Sequence, residues 1–324
     1  MNIESYLPSG CVTNGTVDYT SEVQKAINAN EICVFPDFPI MVNDRGLIIP
    51  SDREITFNSQ IIQKATSNGS YNAIRIQGAN NVILHNPVIT GERQKHLGTS
   101  GEWGHGIAIY GGSNITINGL NASYCWGDGL YIAGKDGLPP TNLTINDAVC
   151  THNRRNGIAI ASCNGLILNS PKCTNTYGVL PSCGIDIEPA GKTDEIKGLV
   201  INNPITDRSV EYGIAIGLSE LLGGTNKVID IKILNWSDSY SKAALRASVN
   251  LNRRAASEMI SGTIDIINPF WKYNSVAPWQ VDIRTPDIKL NLSTPSIRKT
   301  LTSAEMQPIL TNKVNLNANH TITW

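Results

Sequence analysis

A four-residue phrase of glycine, an apolar residue, any residue and a second apolar residue recurs along this chain. It occurs at residues 106–109, 129–132, 157–160, 184–187 and 213–216. With weaker copies that begin at Ala73 and Ala244, the spacing runs from 23 to 33 residues. Repeats of this length predict a solenoid, in which each unit buries its apolar face only against its neighbours. Because the apolar positions alternate with period two, each phrase is predicted to be a β-strand.

A second phrase follows each copy of the first, and it is an apolar alternation that ends in Asn and a turn residue. Its copies are residues 82–87, 115–119, 143–147, 166–171, 199–204, 231–235 and 264–269. Two phrases in a fixed order predict a chain that coils with two or three strands per turn and stacks them in parallel. The recurrent Asn predicts ladders of side-chain amides along the stack. A corner residue that tolerates unusual backbone angles explains the same Asn equally well.

The N-terminal region contains the single segment with a helical pattern, residues 21–30. Ser21 and Gln24 fit a capping box, and Val23, Ala26 and Ile27 form one apolar face. A helix before the first strands would cover the open end of the solenoid. We therefore expect an all-β fold in three parts. These are an N-terminal segment with a capping helix (1–30), a parallel β-helix (31–295) and a C-terminal cap or oligomer contact (296–324).

Charge and composition exclude several classes of function. The net charge is −1 over 324 residues, which does not favour a nucleic-acid or anionic-membrane partner. No stretch is apolar and long enough to span a membrane, and the first residues lack the pattern of a signal peptide. The seven cysteines have no zinc-site spacing. Cys150 and Cys173 follow equivalent corners, so a column of small apolar side chains is expected in preference to a disulfide. We predict no metal and no cofactor.

Over roughly residues 12 to 295 the chain resembles right-handed parallel β-helices of the pectin-lyase-like superfamily. The resemblance rests on the repeats, on the opening segment 14–21 with its helix, and on the strand that ends in Phe35 and Pro36. Segment 184–189 is most similar to phage tailspike depolymerases. This resemblance implies a homotrimer in the virion tail that acts outside the cell on a bacterial capsule or O-antigen. Trp271, Tyr273 and Trp279 on the late coils are expected to support the trimer.

Two carboxylates stand out on the face of the repeated strand that points away from the core. Asp186 and Glu188 are two residues apart, so their backbones lie roughly 6.5–7 Å from each other. Equivalent positions on the other coils are mostly small residues, Ala, Gly and Ser, which predicts a shallow groove. Paired carboxylates in a groove suit glycoside hydrolysis, in which one protonates the leaving oxygen while the other activates water or attacks carbon. Asp128, two coils earlier, is a third candidate for the catalytic set.

Further side chains near this face are candidates for contact with the sugar. They are Tyr131, Arg246, His105, Trp103, Trp126, Arg154, Arg155 and Tyr110. Aromatic rings offer stacking platforms, and arginines can hold an acidic sugar. Ordinary turn packing and solvated turn charges explain several of these residues equally well. We expect a depolymerase that hydrolyses a bacterial surface polysaccharide. A polysaccharide lyase, with Arg246 beside the acids, and a non-catalytic binding protein remain alternatives.

Overall fold

The structure is a computed structural model, and it describes residues 1–249, 259–283, 287–298 and 321–323. Within these residues the strands form three parallel sheets of 11, 10 and 9 strands. Each coil of the chain adds one strand to each sheet in turn, so neighbouring strands in a sheet come from successive coils. The expected parallel solenoid is therefore confirmed.

We call the sheets 1, 2 and 3 in the order in which the chain enters them. The strands of sheet 1 are Ile32–Val34, Arg53–Thr56, Asn80–His85, Ser113–Asn118, Thr141–Asn146, Cys163–Asn169, Ile196–Asn202, Lys227–Leu234, Ile260–Ile267, Ile288–Ser293 and Thr321–Thr323. Those of sheet 2 are Ile40–Val42, Gln60–Gln63, Val88–Thr90, Asn121–Ser123, Val149–Thr151, Lys172–Thr174, Ile205–Asp207, Ser237–Ser239, Phe270–Lys272 and Ser296–Arg298. Those of sheet 3 are Leu47–Ile49, Ser70–Gln77, Trp103–Tyr110, Leu130–Ala133, Ile158–Ile160, Ile185–Ile187, Tyr212–Gly217, Ala243–Val249 and Ala277–Ile283.

The core is the space that the three sheets enclose. Apolar residues at alternate strand positions point into it and form one continuous buried cluster along the stack. Removing this apolar surface from water stabilises the fold by about 25 cal/mol per Å². The glycine of each repeated phrase lies where coils approach closely. A Cβ on Gly157 would lie 2.5 Å from the carbonyl oxygen of Gly184, closer than real Cβ contacts.

Asn side chains form hydrogen-bonded ladders at a corner of the solenoid, as expected. The Nδ2 group of Asn146 donates to Oδ1 of Asn118 at 2.7 Å, and Asn169 and Asn202 continue the series at 2.8 Å each. Asn86, Asn203, Asn235 and Asn268 adopt positive φ at the turns that follow sheet 1. Both interpretations of the recurrent Asn therefore apply, at different positions.

The N-terminal helix, α1, spans Thr20–Ala29 and buries Val23, Ala26 and Ile27. The predicted capping box is wrong, because the helix begins one residue earlier and Ser21 lies inside it. Gln24 instead binds the edge strand of sheet 3: its amide accepts from the backbone N–H of Ile48 at 2.7 Å and donates to the Ile48 carbonyl at 2.8 Å. The side chain thereby takes the place of a neighbouring strand. A short 3-10 helix, Ile3–Tyr6, precedes α1, and another spans Ser219–Leu221.

Other expectations have mixed outcomes. All seven cysteines are free, and Cys150 and Cys173 are register partners in the core. Trp271 and Trp279 are buried, at 0% and 2% exposure, and contact each other as core rings, so the expectation that they support a trimer is wrong. Tyr273 is 39% exposed. The described helices include none that is apolar and long enough to cross a membrane. Most of segment 296–324 lies outside the described residues.

Candidate active site

Sheet 3 positions the candidate carboxylates through its register. Asp186 pairs with Ala159 and Ala215 on the two adjacent strands. Tyr131 and Arg246 occupy the same column one strand further out on either side, as the sequence predicted. The core cluster contains both neighbours of Asp186 along the chain but not Asp186 itself. Asp186 and Glu188 therefore lie on the outer face of one strand and its immediate extension.

The two carboxylates occupy opposite environments. Asp186 is buried, at 2% exposure, whereas 51% of the Glu188 side chain is exposed. Burial raises the pKa of Asp186 well above its ordinary range, and the charge of Glu188 raises it further. Of the two carboxylates expected to stand in a shallow groove, Glu188 is exposed and Asp186 is buried. Its short side chain lies among small residues and accepts a hydrogen bond from Asn156, whereas the longer Glu188 reaches solvent.

Arg155 links carboxylates of the two coils on either side of its own. Its guanidinium lies 3.1 Å from Oδ2 of Asp128 and 3.7 Å from Oε2 of Glu188. Burial alone would lower the pKa of Arg155, but the charges of Asp128 and Asp186 raise it. Burial raises the pKa of Asp128 to about 6, although Arg155 opposes this shift. Asp128, Asp186, Glu188 and Arg155 therefore form one electrostatic cluster.

Asn156 occupies the position before the repeated glycine, and its contacts make it part of the site. Its Nδ2 group donates to Oδ2 of Asp186 at 3.2 Å, and its Oδ1 accepts the backbone N–H of Cys183 at 3.0 Å. Its own backbone N–H donates to Oδ1 of Asp128 at 2.9 Å. Asn156 therefore connects the two buried aspartates. The sequence carried a signal for it, because Asn156 precedes the repeated glycine just as Asp128 does.

Aromatic rings extend the cluster towards the N-terminal coils. His105 is buried and stacks on Tyr131, with ring centroids 4.7 Å apart and planes inclined by 5°. Tyr131 also contacts Tyr110, with centroids 5.7 Å apart. Burial raises the pKa of Tyr131 to about 12 and also raises that of Tyr110. Both phenols are half-buried and neutral at physiological pH, so they offer hydrogen bonds and ring surface without charge.

Trp126 and Arg154 belong to a separate buried cluster beside the site. The indole of Trp126 is sandwiched between His96, 3.7 Å away by ring centroids, and the guanidinium of Arg154, 3.7 Å from the indole centroid. Both ring faces are occupied, so Trp126 offers no platform for a sugar. Arg154 also donates to the Gly101 carbonyl at 2.9 Å.

The same cluster includes a buried carboxylate that no sequence pattern indicated. Glu92 is 2% exposed, and it accepts hydrogen bonds from Tyr71 and from Nδ1 of His96, the latter at 2.8 Å. The Tyr71 hydrogen bond and the stacking of His96 on Trp126 attach segment 91–102 to the coils on either side.

Two remaining candidates lie at the margins. Trp103 begins a strand of sheet 3 and is 51% exposed, so its ring is open to a ligand. Arg246 is exposed and donates to the phenolic oxygen of Tyr212 at 3.1 Å, two strands away from Asp186. Within the described residues, no three His, Cys, Asp or Glu side chains converge in an arrangement that could hold a metal ion.

A solenoid of three parallel sheets, with a carboxylate cluster on one outer face, defines a protein of the parallel β-helix class. The family described as right handed beta helix region matches residues 27–194, and this chain belongs to that family.

Two Bacillus subtilis proteins are related in sequence. The SPbeta prophage-derived uncharacterized protein YorA is 30% identical over 166 residues, which cover 45% of this chain and 28% of YorA. The uncharacterized protein YclG is likewise 30% identical over 166 residues, 46% of this chain and 28% of YclG. The chain therefore matches less than a third of the length of these relatives.

Solved structures share the fold at low sequence identity. The mannuronan C-5 epimerase AlgE6 A-module of Azotobacter vinelandii has a TM-score of 0.66 at 14% identity, covering 93% of this chain and 87% of that one. The polygalacturonase of Erwinia carotovora has a TM-score of 0.65 at 12% identity, covering 97% and 96%. The tailspike gp49 of Acinetobacter baumannii bacteriophage Fri1, a capsular polysaccharide depolymerase, has a TM-score of 0.60 at 16% identity, covering 100% and 62%. These neighbours include polysaccharide-degrading β-helix proteins.

Proposed function

We propose that this protein hydrolyses a bacterial surface polysaccharide on the outer face of sheet 3, with Asp186 as general acid and Glu188 as base or nucleophile. The observation that carries the proposal is the contrast between these two carboxylates on one strand. Environments that separate the pKa values of paired carboxylates are typical of glycosidase acid and base assignments. Burial raises the pKa of Asp186, so this carboxyl keeps its proton to higher pH than an exposed one, whereas the exposed Glu188 carboxylate is free to reach water.

The reaction would proceed as follows. The Asp186 carboxyl transfers its proton to the glycosidic oxygen as the bond from that oxygen to the anomeric carbon breaks. Glu188 removes a proton from a water molecule, whose oxygen bonds to the anomeric carbon. Alternatively, Glu188 attacks that carbon first, and a water molecule that gives its proton to Asp186 then displaces the Glu188 oxygen from the carbon. Backbone spacing of roughly 6.5–7 Å between residues two apart on a strand is compatible with both routes. The anomer of the first product, observed by NMR, distinguishes them.

Arg155 controls access to Asp186 in this proposal. The guanidinium pairs with Glu188 across 3.7 Å, a long contact whose carboxylate partner is half exposed. Solvent around the half-exposed Glu188 screens this ion pair, so a sugar can displace the contact. The ion pair with Asp128 is shorter and fully buried on the carboxylate side, so it holds Arg155 in place. Asp128 is thus a positioning residue, and Tyr131 and Trp103 are candidates for sugar contact. The expected contact between His105 and the sugar is wrong, because His105 is buried against the Tyr131 ring.

The test is cleavage of a panel of bacterial capsules and O-antigens, followed by product mass, reducing-end and absorbance measurements. New reducing ends without unsaturated product are expected. Asp186→Asn and Glu188→Gln should each lower the rate on the order of 10²–10⁴-fold. Asp230→Asn, at an exposed position on the outer face of sheet 1, is the matched control and should retain full activity. Near wild-type rates in both site variants would refute the acid and base assignment. Detection of an unsaturated uronate product would show that the protein is a lyase and not a hydrolase.

Non-catalytic polysaccharide binding is the second candidate, and the burial of both aspartates favours it. In that case the wild-type protein binds the polymer and forms no product.

We further propose a homotrimer on a virion or outside the cell. The prophage-derived name of one relative and the tailspike neighbour support this location. Light scattering tests the assembly: a mass near three times 35.1 kDa is expected, and a stable monomer at micromolar concentration would count against a trimer.

A further inference from the structure

A groove of about 700 Å³ continues the outer face of sheet 3 towards the N-terminal coils. Its lining includes Arg45, Arg75, Lys135, Asn72, Gln77 and Tyr110. The carboxylates of Asp44 and Asp136 also line it, so cations outnumber anions by one. Polar and charged side chains therefore dominate a concave surface that adjoins the carboxylate cluster.

Most charges in this groove already have partners. Asp44 accepts hydrogen bonds from Thr66 and Asn68, at 3.0 and 3.3 Å. Arg45 donates to the Ser21 hydroxyl at 3.3 Å. Lys135 lies 3.8 Å from the exposed carboxylate of Asp136. These groups form the rim of the groove and are satisfied within the protein.

Arg75 differs from them. Its side chain is half-buried on the strand Ser70–Gln77, and no residue in the described part of the chain forms a hydrogen bond or ion pair with its guanidinium. Its Nε atom is buried without a partner, and so is Oδ1 of the nearby Asn72. Burying a charge is costly unless a partner compensates it, so a half-buried free guanidinium is typical of a site that awaits an anion.

The groove lies on the same outer face of sheet 3 as the proposed cleavage site. Register places Arg75 in the column of Asp186, with Ala108, Tyr131 and Ala159 between them. Four strand spacings separate the two residues, roughly 19 Å at about 4.8 Å per strand. Tyr110 lines the groove and also contacts Tyr131 of the carboxylate cluster. A polymer that crosses Asp186 along the axis of the solenoid therefore reaches Arg75 a few sugar residues away.

We propose that this groove is a subsite for an oxyanion on the polysaccharide, a carboxylate or a phosphate, bound by Arg75 with Asn72 and Tyr110 beside it. The planar guanidinium matches both anions through paired N–H donors. The inference rests on the proposed function for the path of the polymer. It adds that the substrate is acidic and that the charge lies a few residues from the bond that is cleaved.

The experiment measures binding to the full chain carrying Asp186→Asn, so that cleavage does not interfere. The polymers are polygalacturonate for carboxylate, phosphomannan for phosphate, the same polygalacturonate after carboxyl reduction, and neutral dextran. Binding of at least one acidic polymer is expected, with the dissociation constant weakened about tenfold or more by Arg75→Gln and restored in part by Arg75→Lys. Lys232→Gln is the charge-matched control, because Lys232 is exposed on the outer face of sheet 1. It should leave binding unchanged.

Each outcome decides the inference. Loss of binding on carboxyl reduction assigns a carboxylate ligand, and retention on phosphomannan alone assigns a phosphate. Equal binding of neutral and acidic polymers, acidic binding that Arg75→Gln leaves intact, or no binding to any of these polymers would overturn it. Different results would reject the anion subsite and the proposed function. Binding that depends on Arg75 without cleavage by the wild type rejects hydrolysis alone, whereas cleavage of a neutral polymer at full rate by Arg75→Gln rejects the subsite alone.

Discussion

The Nδ1 atom of His105 lies 3.3 Å from Oδ2 of Asp128 and also accepts the backbone N–H of Asp128 at 3.1 Å. A nitrogen that accepts carries no proton, so the neutral imidazole holds its proton on Nε2. The contact with Oδ2 is a hydrogen bond only when Asp128 is protonated. Burial lowers the pKa of His105 to about 3 and raises that of Asp128 to about 6. Both shifts favour a pair of neutral partners between about pH 3 and pH 6.

The electrostatic coupling of Asp186 to Asp128 and Arg155 predicts opposite effects of two substitutions on the pH profile of cleavage. The negative charge of Asp128 raises the pKa of Asp186, and the positive charge of Arg155 lowers it. Asp128→Asn should therefore move the basic limb of kcat/KM to lower pH, and Arg155→Gln should move it to higher pH. The measurement is the initial rate between pH 4 and pH 10 for both variants.

The wild type and Asp230→Asn serve as controls for this pair and should share one profile. Shifts in the same direction for both variants, or none, would show that Asp186 does not set the basic limb. A lower maximum rate without a shift would indicate that the variants disturb only geometry.

Close approach between coils predicts that alanine substitution at two glycines of sheet 3 changes the free energy of unfolding by different amounts. A Cβ at Gly157 would lie 2.5 Å from the Gly184 carbonyl oxygen, whereas one at Gly217 would have nothing nearer than 4.0 Å. Gly157→Ala should lower the free energy of unfolding by about 1–3 kcal/mol, in the range of an overpacked core. Gly217→Ala should change it by less than about 0.5 kcal/mol, as an unhindered surface change does. Urea denaturation compares them, and equal stabilities would contradict the proposed spacing of the coils.

The amide ladder predicts a graded loss of stability. Asn146 donates to Asn118 and accepts from Asn169, whereas Asn202 donates to Asn169 at the end of the series. Since a hydrogen bond contributes about 0.5–1.5 kcal/mol net, Asn146→Ala should cost roughly twice as much as Asn202→Ala. Thermal unfolding of both variants measures the ratio. A larger loss for Asn202→Ala would mean that corner geometry, not the ladder, explains the recurrent Asn.

Asp238 predicts a pH dependence of stability that is separate from catalysis. It is fully buried, and its carboxylate accepts from Thr206, Ser241 and Asn274. Burial raises its pKa to about 6, and these hydrogen bonds reduce the shift. The folded state thus holds this proton more tightly than the unfolded chain, whose pKa is near 3.8. The stabilising contribution is complete below pH 3.8 and is lost as pH rises through about 6.

The difference in Tm between wild type and Asp238→Asn isolates this contribution, because other groups cancel. The Tm of the wild type relative to that of Asp238→Asn should fall between pH 4 and pH 7. A difference that stays constant over that range would contradict the raised pKa. Cleavage by Asp238→Asn, measured where the variant is folded, should equal that of the wild type.

Periodicity predicted the parts of the site that a strand alone determines. Alternation in segment 184–188 placed Asp186 and Glu188 on one face, and the register confirmed the column from Tyr131 to Arg246. It did not predict the burial of Asp186, because Asn156 and Arg155 come from the preceding coil, about 30 residues earlier. The contacts of Glu92 were equally inaccessible, since segment 91–102 has no repeat to relate it to its neighbours.

Asp128, Arg155 and Glu188 come from three successive coils, so the fixed distance between stacked strands sets their separation. An insertion or deletion of one whole coil between them would leave the rest of the solenoid able to stack. It would also move the acids apart or together by about 4.8 Å. Evolution by gain or loss of coils can therefore lengthen the binding groove freely at either end. The three central coils, in contrast, must be inherited as one indivisible unit.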